Sequence, residues 1–262
     1  MGWQIDPFGH SATQASLLSA EAGFDALYFG RIDYQDLNKR KDERRTEGIW
    51  RASPSLQQNS QVFWGLTGSF GGNYGPPDGF NWDQFGSDEP MCDYEDLTQY
   101  NVGSRVSDFV DQLYSQAGMA VGESIMLTMG SDFNYENAFE YFRNMDSIIK
   151  YTNEYSKKGL IQADPNGEFD GVEVFYSNPE MYTKARHEEQ LEWEVKTDDF
   201  MPYSDCEMCF WTGYFTSRAE LKKWERTGSS FLQAARQLEA MDGSGKVSEW
   251  ILLLLLINSN QN

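Results

Sequence analysis

Predicted strands and helices alternate along most of the chain, and this alternation limits the possible folds more than any other feature. A short apolar run, Gly2–Ile5, reads as a strand and ends at Asp6-Pro7. Thr13–Ala22 suits a helix, and Gly23 stands where a C-cap glycine belongs. The next segment, Phe24–Gly30, is aromatic and apolar and predicts a buried strand. The pattern therefore favours an α/β fold with a parallel sheet.

The alternation continues to about residue 200 and then gives way to helix alone. The predicted helices span Asp36–Trp50, Ser104–Gln116, Tyr135–Tyr155 and Pro179–His187, and the predicted strands span Ser124–Gly130 and Val172–Tyr176. Ser217-Arg218-Ala219-Glu220 matches a capping box and predicts a helix that runs to Met241. We therefore expect an α/β domain over residues 1–200, the start of a helical domain over 201–242, and a separate tail over 243–262.

A long segment over residues 65–90 lacks regular periodicity and is rich in Gly, Pro and Asn. Loops of this length are usually functional or disordered. Its aromatic side chains favour an ordered, packed loop; they are Phe70, Tyr74, Phe80, Trp82 and Phe85.

The charge balance excludes two classes of partner. The chain carries 41 acidic and 21 basic residues, for a formal net charge of -20. Such a surface repels phosphates, so neither nucleic acid nor an anionic membrane is expected to bind. The apolar segment Trp250–Ile257 is much shorter than the roughly 20 residues of a membrane span, and no signal peptide is expected at Met1.

Three cysteines are too few for a disulfide scaffold. Cys206 and Cys209 have CxxC spacing, whereas Cys92 stands apart. A redox or zinc role for the CxxC pair requires a second pair or a thioredoxin-like setting, and the sequence shows neither. Two incidental loop cysteines or one local bridge are therefore the preferred alternatives.

Two aspartates follow predicted strands. Asp6 comes directly after the first strand, and Asp132 follows the strand predicted over Ser124–Gly130. Side chains at the carboxyl ends of parallel strands converge on one face, so these two carboxyls are candidates for a pair. Glycoside hydrolysis uses such a pair, one group as nucleophile or base and the other as acid. An Asp after a strand is also often only a helix N-cap, and spacing alone favours that alternative.

The histidines do not provide a metal site by themselves. Only His10 and His187 occur, whereas a catalytic zinc usually has three protein ligands. His10 lies four residues after Asp6, and we prefer a role in hydrogen bonding its turn over metal binding.

Several segments resemble conserved motifs of glycoside hydrolase family 38, the α-mannosidases, and its lysosomal-type members most of all. The resemblance covers residues 2 to about 242. The segments that carry it are Gly2–Ser11 (GWQIDPFGHS), Phe29–Gln35, Trp50–Ser53, Met129–Phe133, Tyr135–Ala138, Asp199–Tyr203 and Phe210–Arg218.

The resemblance implies a role for five side chains. Asp6 falls on the family's nucleophile, which is also a zinc ligand, and Asp132 falls on its general acid/base. Phe8, Arg31 and Tyr74 match positions that line the sugar pocket. A carboxamide or carboxylate usually follows the pocket tyrosine, but a glycine, residue 75, stands there in this chain.

The resemblance also implies a fold and a cofactor. Family members form a seven-stranded, incomplete β/α barrel followed by a three-helix bundle, so we expect a partial parallel β/α barrel and the start of a helical bundle. They bind one Zn²⁺ through a His-x-Asp pair upstream of the nucleophile and a His-His-Asp segment downstream. Neither segment occurs here, which leaves Asp6 as the single family zinc ligand of this chain.

These features together predict a fragment of a retaining, zinc-dependent α-mannosidase that acts on mannose-containing oligosaccharides. Because its zinc site is incomplete, the isolated chain is expected to be inactive. A non-catalytic vestigial or sugar-binding product is the alternative. The family and the acidic composition favour the lumen of a lysosome or vacuole for the parent enzyme.

Overall fold

A computed structural model describes residues 1–67, 74–83 and 87–243. Two residues of the aromatic loop, Phe70 and Phe85, lie outside the described residues, as does the tail from residue 244 onward. The packing expected of the loop is confirmed for Phe80 and Trp82, whose side chains are fully buried.

Five strands of the described part of the chain form one sheet with the order β1-β2-β4-β3-β5. All neighbouring strands are parallel except β3 and β4, which are antiparallel. The strands are β1 (Gly2–Gln4), β2 (Ala26–Phe29), β3 (Glu47–Arg51), β4 (Gln61–Leu66) and β5 (Val195–Lys196). The sheet establishes the α/β class, and the barrel remains a prediction because the described residues form a mostly parallel sheet of five strands.

Within the described residues, six α-helices accompany the sheet. They are α1 (Ala12–Ser16), α2 (Tyr34–Asp42), α3 (Val102–Ala117), α4 (Ala138–Lys157), α5 (Pro179–Glu188) and α6 (Ala219–Asp242). A π-helix over Leu17–Glu21 extends α1, and Gly23 then adopts a left-handed φ of 69°, as its C-cap position predicts. Most helices lie close to their predicted ranges because their apolar residues recur with the helical period.

The two larger buried clusters among the described residues are rich in aromatic side chains. One face of the sheet packs Phe29, Trp50, Trp64 and Phe200 together, with ring centroids 4.9–6.0 Å apart. A second core lies between α3, α4 and the loop around Trp82. Edge-to-face contacts between such rings add to the stabilisation that their buried area provides.

A buried ion pair joins α5 to β3. Arg186 is 1 % exposed, and its Nε and Nη2 lie 3.1 and 2.9 Å from Glu47 Oε2. Tyr182 donates a hydrogen bond to Glu47 Oε1 at 2.7 Å, and Glu189 Oε2 accepts from Arg186 Nη1 at 2.5 Å. Burial raises the pKa of the Glu47 carboxyl, although Arg186 and Tyr182 oppose that shift.

The helix predicted over Asp36–Trp50 is wrong in its second half. Helix α2 ends at Asp42, and the chain reverses at Arg44, which has a φ of 55°. The next residues form β3, which pairs with both β4 and β5. The sequence of this charged segment gives no local indication of a strand, because strand formation here depends on pairing with distant residues.

The strands predicted over Ser124–Gly130 and Val172–Tyr176 are also wrong. Both segments run without strand pairing, and side chains satisfy part of their backbone. Asn153 on α4 accepts from the Val174 N–H and donates to its carbonyl, at 2.8 and 2.7 Å. Glu189 accepts from the Ser124 N–H at 2.9 Å. Backbone amides away from solvent need partners, and here the side chains of Asn153 and Glu189 take the place of a neighbouring strand.

The chain divides into two compact units, Met1–Trp211 and Thr212–Asn262. In the second unit, α6 begins after Arg218, which has a left-handed backbone and makes no side-chain cap. The predicted capping box is therefore wrong, although the helix that it introduces is present. The helical bundle and the domain boundaries remain predictions. None of the described helices is both long and apolar enough to cross a bilayer.

Candidate active site

Asp6 and Arg31 form an ion pair at the carboxyl edge of the sheet. They follow β1 and β2, which are parallel neighbours, so their side chains leave the sheet at the same edge. Arg31 Nε and Nη2 lie 2.8 and 2.7 Å from Asp6 Oδ1. The Asp6 side chain is 57 % exposed and that of Arg31 is 17 % exposed. The carboxylate is thus oriented by a guanidinium while it remains open to solvent.

Three aromatic rings surround the Arg31 guanidinium. Its Cζ lies 5.1 Å from the ring centre of Phe8, 5.9 Å from Tyr203 and 5.7 Å from Trp211. Tyr203 also accepts a hydrogen bond from Nη1 at 3.3 Å. Burial alone would lower the pKa of Arg31, but the hydrogen bonds to Tyr203 and Asp6 outweigh it, so that the pKa is raised. The sequence predicted Phe8 and Arg31 for this site but not the other two rings.

Tyr74 bonds to the second aspartate, Asp132, and its pKa also responds to the charge of Asp6. Its hydroxyl donates to Asp132 Oδ1 at 2.7 Å, and this bond is the main cause of a raised Tyr74 pKa. Burial and the charges of Asp132 and Asp6 raise the pKa further, whereas Arg31 lowers it. The phenol therefore lies within the electrostatic influence of both carboxylates. Asp6, Phe8, Arg31, Tyr74 and Asp132, which are far apart in sequence, are brought to one region.

Asp132 lies in a tight turn rather than at the end of a strand, which corrects the position expected for it. Gly130 precedes it with a φ of 142°, and the next residue, Phe133, has a φ of 60°. Tyr135 closes this turn, because its N–H donates to Asp83 at 3.1 Å and its hydroxyl donates to the Met129 carbonyl at 2.6 Å. The carboxyl is exposed on this turn.

The glycine that follows Tyr74 leaves space beside the site. A Cβ at Gly75 would meet no atom within 4 Å among the described residues. Its carbonyl accepts from the Thr128 hydroxyl at 3.1 Å, which ties this part of the loop to the segment that precedes Asp132. The position thus has room for the polar side chain that the family pattern implies.

His10 is buried on the sheet beside the site. Its backbone forms two hydrogen bonds with Phe200, at 2.9 and 2.8 Å, and its ring lies 4.3 Å from that of Phe29. Burial lowers the pKa of the imidazole to about 4, so the ring is neutral at physiological pH. Nε2 is buried without a hydrogen-bond partner within the described part of the chain.

The described residues do not fit a catalytic zinc ion at Asp6. Oδ1 of Asp6 already accepts a hydrogen bond from Arg31 Nε and lies 2.7 Å from Nη2, and a catalytic zinc needs about three protein ligands. Within residues 1–67, 74–83 and 87–243, the one cluster of three ligand groups is Asp205, Cys206 and Cys209. Cys206 and Cys209 form a disulfide, so neither provides a thiolate. The local bridge was one of the two alternatives that the CxxC spacing left open.

Similarity to known proteins identifies the family. Residues 1–206 match the glycosyl hydrolases family 38 N-terminal domain. The chain belongs to glycoside hydrolase family 38. The description of that domain names its members as glycosyl hydrolases.

Named relatives agree with this assignment. The chain is 46 % identical to a probable alpha-mannosidase of Arabidopsis thaliana over 93 % of its length, which is 22 % of that protein. It is 43 % identical to the lysosomal alpha-mannosidase of Cavia porcellus and 40 % identical to that of Homo sapiens, over 93 % of this chain and 23 % of each relative. The chain thus spans about a quarter of the length of the relatives that it matches.

Replacing Asp132 by asparagine is expected to lower the pKa of Tyr74, because the charge that disfavours the phenolate disappears. A titration of tyrosines labelled with ¹³C at Cζ, followed by NMR, measures the shift. Asp146→Asn is the matched control, since Asp146 accepts from Tyr176 at 2.7 Å and should alter that tyrosine alone. An unchanged Tyr74 titration in the Asp132→Asn protein would contradict the hydrogen bond between them.

Proposed function

We propose that the chain is part of a retaining α-mannosidase in which Asp6 is the nucleophile and Asp132 is the general acid/base. The observation that supports this most strongly is the arrangement of both carboxylates around Tyr74, within a chain of family 38. Phe8, Arg31 and Tyr74 would form the wall of the sugar pocket. The natural substrate would be a glycan with terminal α-mannosyl residues, in line with the names of the relatives.

The first displacement uses the two carboxyls in different ways. Asp6 attacks the anomeric carbon while Asp132 donates a proton to the leaving oxygen, so that a covalent glycosyl ester forms. Arg31 holds Oδ1 of Asp6, which leaves Oδ2 to attack. Tyr74 donates to Oδ1 of Asp132, so the proton that is transferred belongs on Oδ2. In this scheme Tyr74 and Arg31 each fix one oxygen and leave the other to react.

The second displacement returns both carboxyls to their starting states. Asp132 takes a proton from water, the water oxygen attacks the anomeric carbon, and the ester bond to Asp6 breaks. Two displacements retain the anomeric configuration, and they require the carboxyls to lie about 5–5.5 Å apart in the working enzyme. Phe8 would offer an apolar face to the sugar ring.

Zinc dependence and Asp6 as a zinc ligand remain predictions about a longer polypeptide, because the described residues lack the other ligands. A lysosomal or vacuolar location is supported by the names of the animal relatives. The excess of acidic residues continues to argue against nucleic acid and anionic membranes as partners.

The test compares this chain with a longer polypeptide that contains it. We expect the longer protein to hydrolyse an aryl α-mannoside with release of α-mannose first, as seen by NMR, and to lose activity on chelation of zinc. The isolated chain should show no turnover. Initial release of β-mannose, or an inactive longer protein, would refute the proposal. Mannose binding by the chain without turnover by either protein would support the non-catalytic alternative.

A further inference from the structure

Tyr203 is a buried side chain whose only described polar contact at the hydroxyl is with Arg31. It is 6 % exposed, and its oxygen accepts from Arg31 Nη1 at 3.3 Å. Its ring also stacks on Phe8 at a centroid distance of 6.0 Å. Tyr203 therefore lies next to the Asp6–Arg31 pair, although neither the charge pattern nor the paired aspartates indicated it.

Backbone hydrogen bonds fix the Tyr203 segment to both loops that carry the ion pair. Phe200 forms two such bonds with His10, at 2.9 and 2.8 Å, in the loop that follows Asp6. Ser204 accepts from the Tyr34 N–H at 2.9 Å, in the segment that follows Arg31. The backbone on both sides of Tyr203 is thus held next to the loops that carry Asp6 and Arg31.

The Arg31 guanidinium contacts Asp6 on one side and Tyr203 on the other. Nε donates to Asp6 Oδ1 and Nη2 forms an ion-pair contact with the same oxygen, while Nη1 donates to Tyr203. Planar guanidinium groups hold a fixed fork of donors, so a bond on one side constrains the donors on the other. Without the Tyr203 oxygen, the Arg31 group keeps its ring contacts but loses the polar contact on its Nη1 side.

We propose that Tyr203 is a positioning residue that sets the orientation of the Asp6 carboxylate through Arg31. The part of this inference that concerns catalysis rests on the proposed function, whereas the part that concerns Arg31 does not. Tyr203 itself need not touch the sugar. The relevant group is its oxygen, because a phenylalanine would retain the ring contacts with Phe8 and the guanidinium.

The first experiment uses the chain itself and measures hydrogen exchange of the Arg31 guanidinium by ¹⁵N NMR. In Tyr203→Phe, exchange at Nη1 should rise by about tenfold, the value expected for loss of a hydrogen bond to a charged group. Tyr34→Phe is the matched control, because the Tyr34 hydroxyl bonds to Gln35 and not to Arg31. Equal exchange in Tyr203→Phe and in the unmodified chain would overturn the proposal.

The second experiment measures aryl α-mannoside hydrolysis by the longer polypeptide in a double-mutant cycle. Tyr203→Phe should reduce kcat by about tenfold with little change in KM, because it alters the orientation of the nucleophile. In an Arg31→Lys background the same substitution should have almost no effect on kcat, because the guanidinium that links Tyr203 to Asp6 is absent. Additive effects would mean that Tyr203 acts independently of Arg31 and would overturn the inference.

The two experiments separate this inference from the proposed function. An inactive longer polypeptide would refute the α-mannosidase activity, and the exchange measurement would then decide the role of Tyr203 alone. Thermal melting of each variant provides the folding control. Tyr203→Phe should melt as a folded protein with its ring contacts intact.

Discussion

Replacing Asp6 by asparagine is expected to reduce α-mannoside hydrolysis by the longer polypeptide about a thousandfold or more. The asparagine oxygen still accepts hydrogen bonds from Arg31, but the amide is far too weak a nucleophile to form the glycosyl ester. Initial rates with an aryl α-mannoside measure the loss. A fluorinated mannosyl fluoride, which lets the ester accumulate, should label a peptide that contains Asp6 in the unmodified enzyme only.

An asparagine at another exposed aspartate provides the matched control. Asp25 lies just before β2 and is exposed, and Asp25→Asn should retain nearly full activity. Thermal melting should be similar for both variants, since surface substitutions usually change stability by less than about 0.5 kcal/mol. Activity of Asp6→Asn within a few-fold of the unmodified enzyme would exclude Asp6 as the nucleophile.

The largest effect on stability is expected from Arg186→Met. This change leaves the Glu47 carboxyl, which is 9 % exposed, without its cationic partner. Removal of one member of a buried pair typically lowers the free energy of unfolding by about 3–5 kcal/mol, because an uncompensated charge remains in the interior. Urea unfolding of the chain, followed by circular dichroism, measures the change.

The same helix offers a control pair on its surface. Lys184 lies 3.8 Å from Glu188, and both side chains are largely exposed. Lys184→Met should therefore change the free energy of unfolding by less than about 1 kcal/mol. Equal losses in the two variants would show that the burial of the Arg186 pair does not contribute to stability.

The decrease in the free energy of unfolding caused by Arg186→Met should also depend on pH. Burial raises the pKa of Glu47, and the variant removes the guanidinium that opposes this shift. A carboxyl whose folded pKa exceeds its unfolded pKa takes up a proton on folding, so it favours the folded state at acid pH. That contribution is lost as the pH rises through the folded pKa. The decrease in the free energy of unfolding should thus be smaller near pH 4–5, about the range where carboxyls titrate, than at neutral pH.

The sequence predicted the elements whose signal is local. Helices α3, α4 and α5 carry apolar residues at helical spacing, and Gly23 occupies a left-handed C-cap. Asp6 follows strand β1 as predicted, whereas Asp132 lies in a turn and does not follow the strand predicted before it. The expected class, α/β with a mostly parallel sheet, is confirmed to that extent.

The elements that the sequence missed depend on distant partners. Strand β3 follows a charged helix and contains glycine, and its state is decided by pairing with β4 and β5. The segment around Val174 resembles a strand in composition, yet Asn153 of α4 satisfies its backbone. Short apolar runs are compatible with several conformations, and only long-range contacts select one of them.

The candidate site divides in the same way. The sequence by itself determined the α/β class and the resemblance to the family. That resemblance also gave the candidate site residues, which are Asp6, Phe8, Arg31, Tyr74 and Asp132. Only the tertiary structure decided that Tyr74 bonds to Asp132 across 58 residues and that Tyr203 reaches Arg31 across 172. The physical reason is that local periodicity encodes helices and strand ends, whereas contacts between distant loops arise only once the sheet has brought those loops together.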